Sequence, residues 1–138
     1  MGLAERRKIA TYKQEHGPRF QKELDEAAGF SLPLEIDFSS LPENETVLGC
    51  YDYYYESYGP GLVPTVFKHI CQDDLGRDAV REKIDKVLFR NTARSPEEPG
   101  DKDVRLEGRT LVIESSFYGY SDKLFGEDDL RAKIEAML

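Results

Sequence analysis

Tryptophan is absent from this 138-residue chain, and histidine and cysteine occur only twice each. So few soft ligands and natural acid–base groups confine metal or nucleophile chemistry to a handful of positions. Cys50 and Cys71 do not form a CxxC pair, which predicts two free thiols in a reducing compartment. Basic residues are also in short supply: 19 against 27 acidic ones leave a net charge of −8. Such a field repels phosphate backbones, and no basic run interleaved with aromatics counters it, so no nucleic-acid partner is expected. Nowhere do 18 apolar residues run together, which argues against a membrane span. The N-terminus lacks an apolar run of signal-peptide length, and Arg6 stands where a myristoylation pattern wants Ser or Thr. These absences predict a soluble, cytoplasmic protein with neither membrane nor nucleic acid as partner.

Catalytic and phosphate-binding motifs are missing too. The glycines never form GxGxxG or a P-loop, and neither GxSxG nor HExxH occurs. "QDDLGRD" carries three acids but lacks the alternating oxygen ligands, central glycine and terminal glutamate of a calcium loop, so helix capping explains it better. No metal site is expected.

What is present suits one packed domain over 1–138, because a chain of this length buries roughly two thirds of its unfolded surface without disulfide or metal. Apolar residues at helical spacing predict helices over 3–16 and 18–28, separated by Gly17-Pro18 or joined as one long kinked helix. Similar stripes predict helices over 62–72, 75–85 and 127–137, with Asp73 or Asp74 capping the fourth of these five. "SLPE" at 40–43 fits a capping box and opens a further helix over 42–58.

Alternation of Leu34, Ile36 and Phe38 predicts a strand over 34–39, and "KVLFRN" one over 86–91. Gly108-Arg109 as a type II′ turn pairs Leu106 with Leu111 and Val104 with Ile113, giving strands 103–107 and 110–117. The class is therefore α+β: an antiparallel sheet of three to four strands with helices packed mainly on one face.

The segment Gly49–Gly61 places five tyrosines within residues 51–58. Tyrosine offers large contact area at low entropic cost, although the same rings also wrap ordinary cores. The leading expectation is a small accessory domain that binds a protein partner or its own copy. Tyr53, Tyr55 and Tyr58 would supply contact, and Asp52 and Glu56 would steer a basic partner.

The competing expectation is a small-molecule binder, with haem or another planar ligand held by Tyr51, Tyr54 and His69. An enzyme using His69 comes third. His69 and Cys71 in "KHIC" stand two apart on a helix, about 200° around the axis, so they cannot readily share one ion. A catalytic cysteine would need His16 brought from elsewhere.

Overall fold

A computed structural model describes residues 2–40, 59–94, 97–98, 100–116 and 124–138. The expected helix over 42–58, the capping box beyond Ser40, and Cys50 lie outside the described residues.

Leu3–Ala28 forms a single continuous helix, α1, which decides between the two expected alternatives in favour of one long helix over two separate pieces. Pro18 costs a helix interior about 3 kcal/mol. Against that cost, Tyr12, Phe20, Leu24 and Ala28 bury along one stripe that spans the proline. The His16 ring bridges the same stripe, with its centroid 4.2 Å from Tyr12 and 5.8 Å from Phe20. Burying each large apolar side chain contributes about 1.5–3 kcal/mol, so tertiary contact outweighs the proline. Gly29 ends the helix in the left-handed conformation at φ 80°, its N–H donating to the Asp25 carbonyl.

The chain then turns back through Leu32, whose N–H donates to Asp25 Oδ1 at 2.8 Å. Gln21 of α1 accepts from the Leu34 N–H at 2.7 Å and donates to the Leu32 carbonyl at 2.8 Å. These bonds seat β1, Leu34–Ile36, along the helix. β1 stops three residues short of expectation because Phe38–Ser40 winds into a 3-10 turn. Ser40 Oγ donates to the Asp37 carbonyl and accepts from the Asn91 N–H, which fixes that turn.

After Gly61 come α2, Leu62–Ile70, and α3, Asp74–Lys83. Asp73 caps α3 by accepting from the Gly76 N–H at 2.8 Å. β2 is Lys86–Asn91, β3 Asp103–Glu107, β4 Thr110–Ser115, and α4 Glu127–Glu135 closes the described chain. Acidic Glu127, Asp128 and Asp129 occupy the first turn of α4, where the helix dipole favours them.

The class is α+β, but the sheet is mixed. Its order is β1-β2-β4-β3, with β1–β2 and β2–β4 parallel and only β3–β4 antiparallel. A parallel pair needs a long crossover, and the chain between β1 and β2, which includes α2 and α3, supplies one. The hairpin has the expected register: Leu106 faces Leu111 and Val104 faces Ile113. Gly108 has φ 63° and Arg109 has no positive φ, as a type II′ turn requires.

Val87, Phe89, Leu111 and Ile113 join Phe20, Phe67 and Phe125 in the core between sheet and helices. The other face of the sheet carries charge pairs: Lys86 with Glu35, and Glu114 with both Arg90 and Arg105. No helix among the described residues is long and apolar enough to cross a membrane.

Candidate functional groove

Of the residues singled out from the sequence, Tyr51, Asp52, Tyr53, Tyr54, Tyr55, Glu56 and Tyr58 lie outside the described residues. His69 is described and sits in the last turn of α2. Its Nε2 lies 2.9 Å from Glu127 Oε1 at the start of α4, and its side chain is 47% accessible. The pair joins two helix ends of opposite dipole. Such an exposed link contributes little to stability.

Cys71 caps the C-terminus of α2 and is buried. Burial pushes its thiol up to about 11, partly opposed by the nearby Arg77 charge and reinforced by Asp73. At neutral pH it is a protonated thiol and a poor nucleophile. His16, the other histidine, accepts from Arg19 Nη2 at Nδ1 over 2.8 Å, within the aromatic stripe of α1. Each histidine thus has a local partner on or beside its own helix. Among the described residues no cluster of three metal-ligating side chains occurs.

A groove of about 590 Å³ opens between α1, α2 and the α2–α3 junction. That volume lies within the range of about 300–1,000 Å³ typical of ligand sites. Ala27, Pro64 and Cys71 provide its apolar surface, and Thr65 and Gln72 its neutral polar groups. One wall is acidic, with Glu23 and Glu26 one turn apart on α1; the other is basic, with Lys68 on α2 and Arg77 on α3.

Helical periodicity explains why α2 serves two surfaces. Val63, Val66, Phe67 and Ile70 point to the core, while Pro64, Thr65 and Lys68 fall on the opposite side and line the groove. His69 is absent from that lining, turned instead toward α4.

The junction at the groove's end is built tightly. Arg77 Nη1 donates to the Cys71 carbonyl at 3.3 Å, and Nη2 donates to Asp74. The Arg77 stem packs close to Gly29 at the C-terminus of α1, where a Cβ would come within 3.1 Å of Cδ. Arg77 therefore holds three elements together. Glu23 has a 3.9 Å contact with Arg19, whereas Glu26 and Lys68 have no ion-pair partner among the described residues.

A smaller cleft of about 370 Å³ lies between β3 and α4. Lys102 and Lys133 flank the Phe125 ring there at 5.2 and 5.6 Å and share the carboxylate of Asp129. The lysines neutralise Asp129 and hold its carboxyl below the usual range, Lys133 most strongly. The lysines and Asp129 of that cleft pair with one another, whereas Glu26 and Lys68 of the larger groove have no ion-pair partner among the described residues.

Apart from Cys71, the groove residues were not singled out in the sequence. Glu26 and Lys68 are 42 positions apart on different helices, and each reads alone as a solvated helical charge. Only the charge of "QKELDE" on the polar face of α1 offered a local signal. No protein family, curated protein or solved structure matches this chain.

Proposed function

We propose that this protein works by binding, and that a partner protein docks in the groove between α1, α2 and α3. One observation carries the reading: Glu26 and Lys68 face the same partly apolar groove with no ion-pair partner among the described residues, while most charges on the sheet's outer face are paired. Unpaired charges of both signs beside apolar surface are the elements an interface uses for register and specificity. The tyrosine-rich residues Tyr53, Tyr55 and Tyr58, with Asp52 and Glu56, belong to the same proposal as a separate source of contact. The acidic excess of the chain favours a partner with a basic surface.

Quantitative capture from the source cells tests this, using the wild-type full chain, Glu26→Lys, Lys68→Glu, and Tyr53→Ala with Tyr55→Ala. A protein enriched on wild type and depleted at least about tenfold on the groove variants, with unchanged melting, supports the groove. A partner retained by both groove variants moves the site elsewhere on the molecule. Native mass spectrometry on the same preparation separates self-association from a second protein.

A further inference from the structure

The charges of the groove are sorted by element: Glu23 and Glu26 stand on α1, Lys68 and Arg77 on α2 and α3, and apolar Ala27, Pro64 and Cys71 contribute to the lining. A ligand of single sign would gain at one wall and be repelled at the other. We infer that the groove holds a peptide segment of mixed charge, with a basic side chain set against Glu26, an acidic one against Lys68, and apolar residues between them. This rests on the binding reading above and adds the chemistry of the partner.

The walls differ in how much charge is free. Arg77 already donates to the Cys71 carbonyl and to Asp74, and so serves to build the junction. Lys68 has no ion-pair partner among the described residues and so is an open cation of the groove. On the facing wall Glu23 has a 3.9 Å contact with Arg19, and Glu26, with no ion-pair partner among the described residues, is an open anion. Both open groups are exposed, so neither has been desolvated in advance, and pairing with a bound segment pays that cost only at contact. The arrangement also discriminates: a uniformly basic segment meets Lys68, and a uniformly acidic one meets Glu23 and Glu26.

Four blocked hexapeptides provide the test: acetyl-Ala-Lys-Leu-Leu-Asp-Ala-amide in both charge orders, its Lys-only counterpart, and its Asp-only counterpart. Each is titrated into the isotope-labelled full chain, with the backbone amides of Ala27, Thr65 and Gln72 as the readout. The mixed-charge peptide, in at least one order, is expected to shift these amides and to bind about tenfold more tightly than either single-sign peptide.

Glu26→Lys and Lys68→Glu are each expected to weaken that binding about tenfold. The double exchange should restore it for the opposite charge order. Equal or tighter binding of the Lys-only peptide overturns the inference. So does a complete lack of response at the groove amides. Both results leave the binding proposal intact if a captured partner still depends on Glu26 and Lys68; that proposal falls separately, when capture is indifferent to both residues.

Discussion

Gly76 in the first turn of α3 packs so closely on Ile70 at the end of α2 that a Cβ in its place would overlap the Ile70 carbonyl. The contact is backbone against backbone, so no side chain can swing away to relieve it. It sets the approach of α3 to α2 and, through Arg77 one residue later, the end of the groove.

Gly76→Ala is therefore expected to destabilise the fold by about 2 kcal/mol, in the range of overpacked sites. Gly108→Ala is the useful comparison. Gly108 has φ 63° and no atom near its missing Cβ, so its cost of about 1 kcal/mol is conformational alone. Urea denaturation of the two variants should rank them in that order. Only Gly76→Ala should shift the amide signals of Gln72 and Arg77.

Glu114 lies on the outer sheet face between Arg90 and Arg105, with Arg90 Nε at 2.8 Å. Burial acts to raise its pKa, but hydrogen bonds from Arg105 and Arg90 prevail and hold the carboxyl below its ordinary value. A depressed folded pKa means the unfolded chain takes up the proton first. Stability is then complete above the unfolded carboxylate range of about 4–4.5 and is lost as pH falls through the folded value. Glu114→Gln should cost about 2 kcal/mol at pH 7. It should also flatten the fall of the urea midpoint between pH 5 and pH 3, and an unchanged slope would count against the pairing.

Cys71, with its thiol pushed up to about 11 and its side chain buried, should react slowly with disulfide reagents at pH 8. In a Cys50→Ser background the remaining thiol is expected to modify at the rate of unfolding, and completely in denaturant. A rapid native reaction would mean that the groove opens at its base. Occupation by a groove ligand should slow the reaction further.

His69→Ala is expected to change stability by less than about 0.5 kcal/mol, because its pair with Glu127 is half exposed. It should leave groove binding untouched, since His69 points toward α4. Thermal melting and peptide titration of the variant check both statements. A large loss of binding would move the functional site to the α2–α4 side.

The α+β class, the Gly108-Arg109 hairpin with its register, and strand 86–91 were all legible in residue order. Their causes are local: period-two alternation and a turn glycine act within a few residues. The Asp73 cap was legible for the same reason. Pro18 left open whether α1 is one helix or two, because the deciding force, burial of Tyr12, Phe20 and Leu24, acts between elements.

The direction of the sheet was likewise decided only in three dimensions. A hairpin states its own orientation, whereas β1 and β2 are joined through a long crossover whose return direction is set by helix packing. The groove belongs to the same class of property. The sequence by itself determined that Glu26 and Lys68 would be helical and exposed. Tertiary packing alone decided that they face one another's element across a shared apolar surface, because the distance between residues 42 positions apart is a product of the fold.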